Sequence, residues 1–141
     1  MGLENLVGRE CMVQAAASAL NKQPPQSALE TRSRQLEEIR DQQLDPFREA
    51  KNLQNLLQAF GERTEVNVHV IHSIRELGSL VEGNQNVFVG FAKGQDGQKS
   101  HIAHLEKRVH SGFTSKQQFT SNEILETQLD EQQQLIVFLA S

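Results

Sequence analysis

Cys11 is the only cysteine among 141 residues, and it opens the run "CMVQAAASAL", in which small apolar residues dominate and no charge appears before Lys22. A thiol acts as a nucleophile in its thiolate form, which a helix N-terminus and a neighbouring imidazole both favour. Gly8 can end any preceding helix, so a helix over Met12–Leu20 would put Cys11 at its head. Backbone N–H groups of Arg9, Glu10 and Cys11 would then be available to an oxyanion. A second pattern competes: Leu3, Leu6, Val7 and Cys11 fit one helical stripe, which makes the thiol a mid-helix filler in a core.

The chain has five histidines that could serve as a base. His69 lies on the polar side of an alternating strand and His72 follows it, so both read as solvated. His101, His104 and His110 cluster in or after a later strand. In a strand, His101 and His104 fall on opposite faces, a poor geometry for a metal pair. No third ligand is evident and one cysteine cannot build a thiolate zinc site, so neither metal nor cofactor is expected.

The elements that must position these groups can be read in order. "NKQPPQ" stops the first helix. Ser27 and Glu30 form a capping box for a helix from Ala28, with Leu29, Leu36 and Ile39 as a thin apolar face. Asp45 and Pro46 start a stronger helix with Phe47, Ala50, Leu53, Leu57 and Phe60 in one stripe, and Gly61 ends it. The period then changes to two. "EVNVHVI" alternates Val66, Val68 and Val70 against Asn67 and His69 and reads as a strand. Ser73 and Glu76 cap a short helix carrying Ile74, Leu77, Leu80 and Val81, and "EGNQN" turns the chain. "VFVGFA" and "HIAHLEKRV" form an antiparallel pair across the loop "KGQDGQK". "SGFTSKQQF" reads as irregular, and Thr120 and Glu123 cap a further helix. "LIVFLA" is apolar enough for a buried strand. Helices followed by strands imply an α+β fold, with N-terminal helices packed on a small, mostly antiparallel sheet, in one compact domain over residues 1–141.

Composition narrows the function classes. The formal net charge is −4, and the seven phenylalanines are the sole aromatic residues. No basic stripe and no stacking platform is present, so no nucleic-acid role is expected. No apolar run is long enough to span a bilayer, and no secretory signal or myristoylation pattern is visible, so no membrane partner is expected. A lone cysteine suits a reducing, cytoplasmic compartment. The oligomeric state is left open.

"GRECMVQAAASAL" resembles the cysteine-helix motif of the ovarian-tumour (OTU) family of deubiquitinating cysteine proteases. That motif is an Asp-Gly-x-Cys loop and a helix with a small residue four after the cysteine and Leu nine after it, positions held here by Ala15 and Leu20. "TRSRQLEEIRDQQLDPF" looks like the family's following charged helix, and "LLQAFGERTEVNVHVI" like its helix into an apolar strand. "VFVGF" and "HIAHL" resemble its closing strands, with His101, Ile102 and Leu105 matching the general-base motif. The likeness spans roughly residues 5 to 108. Gly8 stands where the family has Asp, Ile102 where it has an aromatic residue, and Ala103 where it often has the polar group that orients the histidine.

The resemblance implies an OTU-like or papain-like architecture and hydrolysis of ubiquitin isopeptide bonds. Cys11 would be the nucleophile and His101 the base, with His104 as the alternative base. Asp96, Glu10 and His104 are candidates for a third member. Ubiquitin or a ubiquitinated protein would be the partner, its basic tail met by Glu30, Glu37, Glu38 and Asp41. Two other readings stand beside this one. A papain-like deamidase or acyltransferase effector would use the same pair, with Asp130 orienting the base. A non-catalytic acidic binding module, of secretion-chaperone or adaptor type, would use Cys11 as filler.

Overall fold

The structure is a computed structural model that describes residues 7–42, 45–72, 76–77, 79–80, 86–92, 102–108, 112–115 and 134–140. Among the described residues the main elements are, in chain order, α1 (Cys11–Leu20), α2 (Gln26–Glu38), α3 (Pro46–Ala59), β1 (Val66–Ile71), β2 (Asn86–Ala92), β3 (Ile102–Arg108), β4 (Gly112–Ser115) and β5 (Gln134–Ala140). The sheet order is β1-β5-β2-β3-β4, and every neighbouring pair is antiparallel. The expected α+β class and antiparallel sheet are therefore present.

β5 threads between β1 and β2, with Phe138 opposite both Val68 and Phe88. Its residues Ile136–Ala140 are all buried, as are Val87, Phe88 and Val89 of β2. Two central strands covered on both faces require apolar side chains at consecutive positions, which is why "LIVFLA" lacks alternation. One face belongs to the helical core. There Phe88, Ile136, Phe138 and Ala140 pack with Met12, Val13, Ala15 and Ala16 of α1 and Leu53, Leu56 and Leu57 of α3. The backbone of α1 passes beside β3, and α3 lies against α2 and β1.

α3 begins as expected. The Asp45 carboxylate accepts from the N–H groups of Phe47 and Arg48, and Pro46 occupies the first turn. Gly61 follows the helix at φ 100°, a conformation that suits a residue without a Cβ.

Four expectations are corrected. The capping box at Ser27 and Glu30 does not form: α2 starts at Gln26, because Pro25 (φ −70°, ψ 161°) already delivers the chain into the helix. The Ser27 hydroxyl instead donates to the Ala59 carbonyl at 3.3 Å. Leu29, Leu36 and Ile39 are only half-buried, and the buried face of α2 is Ala28, Arg32 and Gln35. Phe47 is 74% exposed, since the inward side of α3 begins with Glu49, Ala50 and Asn52 rather than with the apolar residue before them. Within "SGFTSKQQF", Gly112–Ser115 forms β4. That strand has no apolar alternation of its own and exists through pairing with β3, Glu106 opposite Thr114. Residues 76, 77, 79 and 80 are helical and Leu77 is fully buried. The capping boxes at Ser73 and Thr120, and the "KGQDGQK" loop, fall on residues outside those described.

Candidate functional site

Cys11 is the first residue of α1, and its side chain is partly buried against the helical core. The mid-helix alternative is thereby corrected: residues 7 and 8 are helical, residues 9 and 10 turn, and a new helix starts at the cysteine. Glu10 makes that start. Its backbone is extended (φ −67°, ψ 148°), and its carboxylate accepts from the Met12 N–H at 2.9 Å. Gln14 folds back so that its Nε2 donates to the Gly8 carbonyl. Gly8 has no positive φ, and a Cβ there would meet only Leu29 Cδ2, at 3.9 Å. A glycine is thus not a steric requirement at this position.

Glu10 is more deeply engaged than its place in the motif suggests. Its N–H donates to the Val7 carbonyl at 3.1 Å, so that N–H is already engaged, which corrects its predicted oxyanion role. Its Oε2 accepts from Arg32 Nε at 2.7 Å and its Oε1 from Arg32 Nη2 at 3.1 Å. With both oxygens gripped in this fork, Glu10 is not poised to orient an imidazole, which corrects it as a third triad member.

Arg32 is the centre of a buried polar group that the sequence did not disclose. It is 3% exposed. Its Nη1 donates to Gln35 Oε1 at 3.0 Å, and its Nη2 reaches Glu49 Oε2 at 3.5 Å. Gln35 Nε2 donates to the Asn52 carbonyl at 2.9 Å, and Asn52 Nδ2 to Glu49 Oε1 at 2.9 Å. The group thus joins the head of α1 to α2 and α3. Burial alone would lower the Arg32 pKa. The hydrogen bond and charge of Glu10, followed by those of Glu49, outweigh that burial and hold it above its ordinary value. A raised pKa gives stability that is complete below the unfolded value and lost as pH rises through the folded one. Both lie in strong alkali, so Arg32 stays charged across the neutral range. The one legible signal was indirect: "TRSRQLEE" has too few apolar residues to be held by burial alone.

The remaining candidates are placed unevenly. His101, Asp96, His110 and Asp130 lie outside the described residues. His104 lies in β3, opposite Phe88 of β2. His101 is the residue before β3, the strand beside which α1 passes. His69 and His72 are exposed, as expected. Glu30, Glu37, Glu38 and Asp41 are also exposed, and Glu38 makes a loose 3.8 Å pair with Arg48. A hollow of about 340 Å³ runs along the later turns of α1, lined by Gln14, Ser18, Asn21, Lys22 and neighbours, and Cys11 is not among its walls. Among the described residues, no cluster of His, Cys, Asp and Glu could hold a metal ion, and no helix is long and apolar enough to cross a membrane. No family model matches this chain and no curated protein matches it.

Proposed function

We propose that this chain is a cysteine hydrolase with an OTU-like, papain-type arrangement, cleaving isopeptide bonds at ubiquitin C-termini in a reducing compartment. The observation that carries the proposal is the position of Cys11. It is the first residue of a helix whose N-terminus favours an anion, and that helix passes beside β3, the strand that directly follows His101. In the proposed reaction His101 accepts the thiol proton and the Cys11 sulfur attacks the isopeptide carbonyl. The C–N bond breaks, the leaving lysine amine takes the proton from His101, and water hydrolyses the thioester. N–H groups of Arg9 and Cys11 would hold the oxyanion. The exposed acidic side chains of α2 would meet the basic tail of ubiquitin, at about 0–1 kcal/mol for each exposed pair.

One observation favours a second reading, a non-catalytic binding module. The Glu10 carboxylate, one residue before the thiol, already caps the helix and opposes a second negative charge there. A ubiquitin probe with a C-terminal thiol-reactive group separates the two. The hydrolase forms a covalent adduct that Cys11→Ala abolishes and His101→Ala slows by about 10²-fold or more. A binding module forms none.

A further inference from the structure

We propose that Arg32 is a positioning residue for Cys11: its grip on the Glu10 carboxylate fixes the head of α1 and offsets the charge of the cap, and so sets how readily the thiol ionises. The proposal rests on the hydrolase reading only for what Cys11 does once ionised.

Three observations meet at this point. The cap of the cysteine helix is a carboxylate, not a neutral Ser or Thr, so the N–H dipoles that would favour a thiolate already face an anion. That carboxylate is held in a fork by a guanidinium on α2, at 2.7 and 3.1 Å. The guanidinium is almost wholly excluded from water and is held from behind by Gln35 and Glu49, so it cannot swing away to solvent. With one cation between Glu10 and Glu49, the group carries one formal negative charge. Removing the Glu10 charge therefore neutralises it, and weakening the Arg32 contact leaves the Glu10 charge uncompensated at the helix end that Cys11 opens. Other charged or titratable groups belong to the elements around Cys11. Arg9 precedes it on its own segment, and the neighbouring strand β3 contains His104, Glu106, Lys107 and Arg108. All of these are unchanged in the variants below and form a constant background.

The test is the pH profile of Cys11 alkylation by iodoacetamide, read by intact mass on the full chain. Glu10→Gln keeps an oxygen for Met12 and Arg32 while removing the charge. It should move the midpoint of the profile down by about one pH unit, a roughly tenfold faster reaction below the midpoint. Arg32→Lys keeps a cation but not the fork, and should move the midpoint up. A purely structural role for Arg32 would lower thermal stability without displacing the profile. A Glu10→Gln midpoint that stays at the wild-type value or rises overturns the proposal, as does a folded protein whose thiol does not react at any pH. An Arg32→Lys midpoint at the wild-type value likewise overturns it, and if Arg32→Lys fails to fold, Arg32→Gln, which keeps a donor for Glu10 without the cation, is read in its place with the same upward shift expected. If the profile moves and no ubiquitin adduct forms, the hydrolase reading falls and the positioning role stands. If the adduct forms and the profile is unmoved, the reverse holds.

Discussion

The helical layer and the centre of the sheet are both buried, but they are buried with different chemistry. Around β5 and β2 the interior is apolar without interruption, from Val87–Val89 to Ile136–Ala140. Between α1, α2 and α3 the buried set includes Arg32, Gln35, Glu49 and Asn52. Apolar packing is tolerant, because neighbours can shift to accept a small change in volume. A buried ion group is not, because each member satisfies another and a missing partner leaves a charge without solvent. The centre of the sheet supplies cohesion, whereas the helical layer fixes one geometry at the segment that holds Cys11.

That contrast can be broken or sharpened by substitution. The largest effect should come from Arg32→Met, which leaves Glu10 and Glu49 without their cation and should destabilise the fold by about 3–5 kcal/mol in urea unfolding. Replacing all three members by apolar residues of similar volume should recover most of that loss. If the single change costs under about 1 kcal/mol, the group is not the rigid element described. Asp45→Ala removes an exposed cap that holds two N–H groups and serves only its own helix, and should cost roughly 1 kcal/mol by the same assay. In the sheet, Ile136→Val deletes one methylene from a buried side chain and should cost about 0.5–1.5 kcal/mol, with an unchanged denaturant slope.

What the sequence disclosed follows the same division. The apolar run at β5, the strand at β1 and the Asp45-Pro46 start of α3 were legible because each is encoded within a few residues, although the alternation expected along β1 breaks at its end, where Val70 is exposed and Ile71 is buried. Cys11 at a helix head was one of two patterns the local sequence allowed, and the Glu10 cap decides between them. The engagement of Glu10 by Arg32 spans 22 positions, and that of Arg32 by Glu49 spans 17. Nothing within α2 marks Arg32 as different from Arg34, which is exposed. β4 was missed for a related reason: it takes its shape from the register with β3 and not from its own residues.

The central claim is that the thiol at the head of α1 acts as a nucleophile with the imidazole that precedes β3. Incubation with a ubiquitin probe carrying a C-terminal electrophile, followed by peptide mapping, tests it most directly. The expected result is one ubiquitin adduct on the peptide containing Cys11, absent in Cys11→Ala and strongly slowed in His101→Ala. A wild-type protein that forms no adduct while its Cys11 still reacts with iodoacetamide would contradict it.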